Sequence, residues 1–138
     1  MKVPLLDLNA QYKPILNEIR TAIEELFLTH KYILGPQVKK LEDKISDYCN
    51  TTYAVGCASG TDALVLALKA LEIEKGDEII TTPFTFFSTV SCIHRVGAKP
   101  IFLDIDPRTF NIDPSKIASS ITSKTKALII VHLFGQPA

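Results

Sequence analysis

Residues 59–62, Ser-Gly-Thr-Asp, join a short apolar run to a predicted helix, and their types suit the binding of an anion. The first turn of a helix leaves backbone N–H groups without acceptors and carries the positive end of the helix dipole. Gly60 would let a ligand approach the backbone closely, so phosphate is the candidate ligand. The same residues fit a capping box, in which Ser59 bonds forward and Asp62 bonds back. Spacing alone favours the cap.

Aromatic residues follow the next apolar run, in Thr82–Thr89, TPFTFFST. Ligands of open α/β folds bind beyond the carboxyl ends of the strands, and this segment lies at that edge of the predicted sheet. An aromatic ring placed there could stack on a flat heterocycle. The alternative is that these phenylalanines belong to the core, and this is the prediction for Phe84 and Phe87.

Three further polar residues lie near strand ends and have simpler structural explanations. His132 is predicted to be a packed, hydrogen-bonded core residue rather than a proton-transfer group. Asp104 and Asp106, in FLDIDP, could form an acid pair or bind a hard cation. Turn formation before Pro107 explains both carboxylates without a ligand, so no metal site is predicted.

The composition indicates a globular protein with small-molecule or protein partners. The chain has 138 residues, and 15 basic side chains balance 15 acidic ones. It has no run of five like charges, which argues against a nucleic-acid tail or a polybasic membrane patch. Its three cysteines are odd in number and widely spaced, as expected for reduced thiols. The chain has neither a signal-type apolar core nor an apolar run of roughly 18 residues, so a cytoplasmic location is predicted.

The periodicity of apolar residues divides the chain into a helical segment, residues 1–52, and an alternating segment, residues 53–138. Two helices are predicted in the first segment, at Tyr12–Thr29 and from Pro36 to Asn50. In the second segment, short apolar runs alternate with helices, as in a parallel sheet built from strand-helix-strand units. The predicted strands are Tyr53–Cys57, Glu78–Thr82, Lys99–Leu103 and Ala127–Leu133, and the predicted helices are Thr61–Leu71, Ser88–Val96 and Pro114–Ile121. The first of these helices is apolar on every side, which predicts burial within the domain.

Five motifs, taken in order, resemble the DegT/DnrJ/EryC1/StrS family of nucleotide-sugar aminotransferases. They are YILGPQVKKLEDKISDYCN, AVGCASGTDALVLALKAL, KGDEIITTPFTFFSTVSCIHRVGAKPIFLDID, FNID and VHLFGQPA. The resemblance implies a three-layer α/β/α fold with a mostly parallel sheet, the N-terminal part of the large domain of a fold type I transferase that depends on pyridoxal phosphate. Residues 53–138 would be the first half of that cofactor-binding domain, truncated after its fourth strand.

The resemblance also assigns roles to the candidate residues. Ser59, Gly60 and Thr61 match the turn that binds the phosphate of pyridoxal 5'-phosphate in this family, which reverses the preference for a plain cap. Phe86 matches the aromatic position that stacks on the pyridine ring. The family's usual reaction transfers an amino group, typically from glutamate, to a keto group of a nucleotide-linked sugar, and its members are homodimers.

Three features of the family have no match in this sequence: the Schiff-base lysine, the aspartate that pairs with the pyridinium nitrogen, and a nearby AQ pair. None of its twelve lysines fits the motif of the Schiff-base lysine, which in the family comes after the part that the five motifs match. No catalytic residue is therefore assigned, and the chain is expected to be inactive alone. Its first strand is expected to be unpaired, since the family's partner strand also comes later.

Two alternative functions are compatible with the sequence. The first is a non-catalytic short homologue that binds a phosphate ligand or a full-length partner. The second, an enzyme of the same fold type that acts on amino acids or cysteine sulfur, agrees less well with VHLFGQP and PFTFFST.

Overall fold

The computed structural model describes residues 3–138, which separate into two compact units. The first unit runs to Gly56, and the second is Cys57–Ala138. No helix among the described residues is long and apolar enough to cross a membrane. The assignment of residues 53–138 to a cofactor-binding domain stays a prediction.

The first unit is helical, with one more break than the periodicity predicted. Helix α1, Leu8–Tyr12, is followed by a 3-10 turn, Lys13–Ile15, and by α2, Leu16–Thr29. Pro14 lacks an N–H group and lies in the 3-10 turn, which separates α1 from α2. Helix α3 is Pro36–Cys49, and Asn50 caps its C-terminus in the left-handed conformation. The predicted end of this helix at Asn50 is confirmed.

The second unit is built on a three-stranded, wholly parallel sheet with the strand order β2-β1-β3. Its elements in chain order are α4, Gly60–Ala70; β1, Glu78–Thr81; α5, Phe87–Arg95; β2, Lys99–Phe102; a 3-10 turn, Pro114–Lys116; α6, Ile117–Ser120; and β3, Thr125–Leu128. In the central strand β1, Ile79 lies opposite Pro100 of β2 and Ala127 of β3. The helices and strands after residue 57 therefore follow the predicted order closely.

One predicted strand does not form in this chain, and another has different bounds. Tyr53–Cys57 forms no strand within the described residues, and Tyr53 and Val55 are 83% and 80% exposed. A strand needs a neighbour for its backbone groups, and here Gly56 donates its N–H to the Glu42 carboxylate of α3 instead, at 2.8 Å. The strand predicted at Ala127–Leu133 begins earlier, at Thr125. This strand, β3, also ends earlier than predicted, at Leu128. The neighbouring strand β1 stops at Thr81, so residues of the chain after Ile129 have no strand with which to pair.

Apolar side chains cover both faces of the sheet, which gives the predicted three layers. On one face, α4 and α5 pack over β1 through a cluster made of Leu68, Ile73, Ile79, Cys92, Ile93, Val96 and Ala98. On the other face, Ile80 packs with Leu103 and Ile112, and Ile101 and Ile117 lie against them. The α/β fold class predicted from the sequence is confirmed.

Helix α4 is buried on one face, not all round. Leu68 is 4% exposed, and Leu64 and Val65 pack against the same cluster. Leu66, two residues before Leu68 and so on the far side of the helix, is 53% exposed. The prediction of burial on every side is wrong in this chain, because neighbours within the second unit cover one stripe of the helix.

The turn after β2 is held by the carboxylate of Asp106, as predicted from its position before Pro107. One oxygen of Asp106 accepts the backbone N–H groups of Arg108 at 2.8 Å and Thr109 at 3.2 Å. These bonds, led by that from Arg108, lower the pKa of Asp106 below its ordinary value. The turn returns the chain so that Ile105 pairs with Ile112 in an antiparallel bridge over the sheet.

The lowered pKa of Asp106 predicts how acid destabilises this turn. A carboxyl group with a depressed folded-state pKa contributes stability above its unfolded pKa, near 3.9, and loses that contribution as the pH falls through the folded value. Asp106→Asn should therefore reduce the free energy of unfolding at neutral pH and flatten its decline below about pH 4. Urea unfolding at a series of pH values measures this. An acid limb of the same steepness in both proteins would contradict the assignment.

Candidate functional site

The turn at residues 59–62 forms half of the predicted capping box. Ser59 is the extended N-cap of α4, and its hydroxyl oxygen accepts the backbone N–H of Asp62 at 3.1 Å. The same hydroxyl donates to the carboxylate of Asp62 at 2.9 Å. In a full capping box, the carboxylate would accept the backbone N–H of Ser59. Here the Asp62 carboxylate accepts the Ser59 hydroxyl instead. The forward cap fixes the start of the helix.

The cap leaves the first two donors of α4 free. The backbone N–H groups of Gly60 and Thr61 have no hydrogen-bond acceptor in the described part of the chain, and the helical ladder begins with Ala63 N–H on the Ser59 carbonyl at 2.9 Å. A Cβ atom built on Gly60 would meet no atom within 4 Å, so the space beside this residue is open. The cap and the anion site are therefore compatible, because they use different N–H groups.

A hydroxyl–hydroxyl hydrogen bond joins this turn to the start of α5. Thr61 Oγ1 and Ser88 Oγ are 2.7 Å apart, and both residues are partly buried. Ser88 is the second residue of α5, whose N-cap is Phe86. The bond therefore brings the positive ends of two helix dipoles to one place, where an anion would be stabilised by both.

The sequence alone does not indicate Ser88 as a site residue. Its local signal is a hydroxyl residue in the first turn of a helix that follows a strand, and such residues are common. Only the packing of α5 beside α4 shows that this hydroxyl meets Thr61, 27 positions earlier in the chain.

The three phenylalanines of Thr82–Thr89 have different environments. Phe86 is 71% exposed, so one ring at this edge is free to contact a ligand. Phe87 is 76% exposed, and its predicted core position is wrong, because it lies opposite the buried stripe of α5 that begins at Thr89. Phe84 is 41% exposed and packs in a satellite group with Phe110 and Phe134, with ring centroids 6.1 and 6.0 Å away.

An ion pair partly neutralises the negative charge of Asp62, which follows the free N–H groups of Gly60 and Thr61. The carboxylate of Asp62 lies 3.6 Å from the guanidinium of Arg95, near the end of α5. Asp62 is in the first turn of α4, where a negative charge is favourable to the helix but opposes a second anion. Arg95 reduces that opposition, so the turn keeps its preference for anions.

Other titratable groups do not join this site. His132 is exposed, and its Nδ1 accepts the N–H of Ala138 at 3.0 Å, so its predicted core packing is wrong. The three cysteines are free thiols, of which Cys92 is buried, and burial raises the pKa of its thiol. No group of three or more metal-ligating side chains occurs among residues 3–138.

Comparisons with known proteins agree with this fold and with the order of the motifs. The model of the DegT/DnrJ/EryC1/StrS aminotransferase family matches residues 14–138. The chain is 50% identical over its full length to a "pleiotropic regulatory protein" of Geobacillus stearothermophilus. It is 43% identical, over 99% of its length, to a UDP-2-acetamido-2-deoxy-3-oxo-D-glucuronate aminotransferase of Pseudomonas aeruginosa. It spans only 37% and 38% of these two relatives, respectively.

A solved structure superimposes on almost the whole chain. The crystal structure of S. venezuelae DesV in complex with a ketimine intermediate matches 99% of it with a TM-score of 0.95 and 38% identity, and the match covers 37% of DesV. The resemblance drawn from the five motifs is confirmed by a family match that covers most of the sequence. The chain belongs to the DegT/DnrJ/EryC1/StrS aminotransferase family.

Proposed function

We propose that this chain is the N-terminal portion of a pyridoxal-phosphate-dependent aminotransferase that moves an amino group, from glutamate, to a keto group of a nucleotide-linked sugar. Its own contribution is to hold the cofactor, because none of its residues matches the family's Schiff-base lysine. The protein is proposed to be cytoplasmic and to act as a homodimer in its full-length form. The observation that carries the proposal is the pair of free N–H groups at Gly60 and Thr61.

The residues at the start of α4 fit a phosphate group. Two backbone donors, a hydroxyl on Thr61 and the positive end of an eleven-residue helix converge beside the open space at Gly60. Ser59 supports the site by capping the helix, and its hydroxyl could reach a phosphate only by giving up its bond to Asp62. Gly60 and Thr61 are therefore proposed as the direct phosphate ligands, with Ser59 holding the turn.

Phe86 is proposed to stack on the pyridine ring of the cofactor. Its ring is largely exposed, and it lies two residues before Ser88, whose hydroxyl bonds to Thr61 of the phosphate turn. A flat aromatic face near the phosphate site fixes the orientation of a planar ligand. When bound, pyridoxal phosphate supplies an electron sink for chemistry at the amino-bearing carbon. The residues of this chain anchor its phosphate and orient its ring.

Replacing Phe86 tests the stacking role against a matched neighbour. Phe86→Ala should weaken the binding of pyridoxal phosphate about three- to tenfold, since an aromatic pair contributes roughly 0.5–1.5 kcal/mol beyond area burial. Phe87→Ala removes a ring that is similarly exposed, at the next position, and should leave affinity unchanged. Fluorescence titration with the cofactor measures both. Equal losses in the two variants would show that Phe86 has no specific role.

The function itself is tested on the longest natural polypeptide that contains residues 1–138. We expect this protein to bind pyridoxal phosphate and, with glutamate and a nucleotide-linked keto sugar, to form 2-oxoglutarate and an amino sugar detectable by mass spectrometry. Residues 1–138 alone should form neither product. Turnover by residues 1–138 would refute the assignment of catalysis to residues outside this chain, and a full polypeptide that does not bind cofactor would refute the proposal as a whole.

A non-catalytic role is the second candidate, and the name of the G. stearothermophilus relative, a regulatory protein, favours keeping it. Such a protein would bind a phosphate-bearing ligand or a full-length partner without turnover. The coding sequence after Ala138 separates the two candidates. An in-frame continuation with a Schiff-base lysine supports the enzyme, and a stop codon supports the binding protein.

A further inference from the structure

The hydrogen bond between Thr61 and Ser88 links the two halves of the proposed cofactor site. It joins the phosphate turn of α4 to the first turn of α5, next to Phe86, with 2.7 Å between the oxygens. We propose that Ser88 is a positioning residue that donates its hydroxyl proton to Thr61 and so leaves the Thr61 proton free for the cofactor phosphate. This inference rests on the proposed function, because it gives Ser88 a role at the same site.

The direction of the bond follows from counting protons. Each hydroxyl has one proton and can accept from others, so one proton lies between the two oxygens and the other remains available. Within the described residues, the hydroxyls of Thr61 and Ser88 have no other hydrogen-bond partner. Thr61 also provides one of the free N–H groups, so a phosphate bound there lies nearer to Thr61 than to Ser88. The Thr61 proton then turns to the anion, and Ser88 supplies the proton between the oxygens.

This arrangement strengthens the contact with a charged ligand. A hydroxyl that accepts one hydrogen bond becomes a better donor in another, so Ser88 polarises Thr61 towards the phosphate. It also selects one of the few side-chain rotamers that β-branched Thr61 can adopt.

The test compares pyridoxal phosphate with pyridoxal, which lacks the phosphate, in the longest natural polypeptide that contains residues 1–138. Ser88→Ala should lower the affinity for pyridoxal phosphate about five- to tenfold, because a hydrogen bond in a charged network contributes roughly 1–1.5 kcal/mol. Its affinity for pyridoxal should be unchanged. Ser88→Thr, which keeps the hydroxyl, should retain the affinity of the parent within about twofold.

A double-mutant cycle with Thr61→Val separates positioning from a structural effect. In the Thr61→Val background, Ser88→Ala should lower the affinity for pyridoxal phosphate by less than about twofold. The Thr61 hydroxyl, through which Ser88 acts on the phosphate, is absent in this background. The phosphorus NMR signal of the bound cofactor should shift in Ser88→Ala and not in Ser88→Thr. Circular dichroism checks that each variant is folded.

Three outcomes overturn the inference. Equal losses for pyridoxal phosphate and pyridoxal, or full additivity with Thr61→Val, would mean that Ser88 only supports the structure. Unchanged cofactor affinity in Ser88→Ala, alongside a loss in Thr61→Val, would remove Ser88 from the site while leaving the proposed function intact. If the parent protein bound neither ligand, the proposed function itself would fail.

Discussion

Replacing Gly60 with aspartate is expected to stabilise helix α4 and to abolish high-affinity binding of pyridoxal phosphate. Gly60 is the first helical residue, its φ lies outside the left-handed region, and a Cβ there would meet no atom within 4 Å. An acidic side chain in the first turn contributes about 0.3–1 kcal/mol through the helix dipole. Loss of glycine's freedom in the unfolded chain adds about 0.4–1 kcal/mol. Thermal unfolding should therefore show a higher melting temperature.

The same carboxylate should exclude the cofactor phosphate. It would lie beside the free N–H groups that the phosphate needs, and two negative charges about 4 Å apart repel by roughly 4 kcal/mol near a protein surface. Affinity for pyridoxal phosphate should fall about 100-fold or more, whereas affinity for pyridoxal should change little. Equilibrium titration with both ligands measures the difference.

Gly60→Asn is the matched control for charge. Its side chain has the same shape as aspartate and no charge, so its loss of affinity reports steric occupation of the open space alone. We expect a smaller loss than in Gly60→Asp. Normal binding of pyridoxal phosphate by Gly60→Asp would rule out a phosphate at this turn.

Truncation of Ile79 to alanine is expected to remove a large part of the stability of the second unit. Ile79 is fully buried in the central strand and belongs to the cluster that joins the sheet to α4 and α5. An isoleucine-to-alanine change at a buried site costs about 2–5 kcal/mol, through lost transfer energy and the cavity that remains. Because domains are stable by only about 5–15 kcal/mol, this variant should unfold at a much lower urea concentration.

Ile121→Ala provides the control for the same chemical change. Ile121 follows α6 and is 55% exposed, so its truncation should alter the free energy of unfolding by less than about 1 kcal/mol. Urea unfolding followed by circular dichroism compares the two variants with the parent. Similar midpoints for Ile79→Ala and Ile121→Ala would contradict the assignment of the core.

Local signals predicted most of the second unit. The apolar runs at Glu78–Thr82 and Lys99–Leu103 form β1 and β2 to within one residue, because a strand covered on both faces is apolar throughout. Ser59 caps α4 as its type and position require. Asn50 ends α3 in the left-handed conformation. Each of these features depends on a few neighbouring residues.

The errors occur where a partner far along the chain decides the structure. Tyr53–Cys57 has the composition of a strand, but a strand needs a hydrogen-bonded neighbour, and the sheet of the described residues consists of β1, β2 and β3 only. Leu66 has the polarity of a core residue, yet it lies opposite the stripe of α4 that the sheet and α5 cover. Phe87 is exposed for a similar reason, since α5 buries the stripe that begins at Thr89.

The sequence by itself determined the family, the order of helices and strands after residue 57, and a donor-rich turn at Ser59, Gly60 and Thr61. Tertiary structure decided how that turn is used. The cap takes the N–H of Asp62 and leaves those of Gly60 and Thr61 free, so the cap and the anion site coexist. Ser88 reaches Thr61 because α5 packs beside α4 on the same face of the sheet. Capping is a contact between near neighbours, whereas the meeting of two helix termini depends on a sheet that positions both helices.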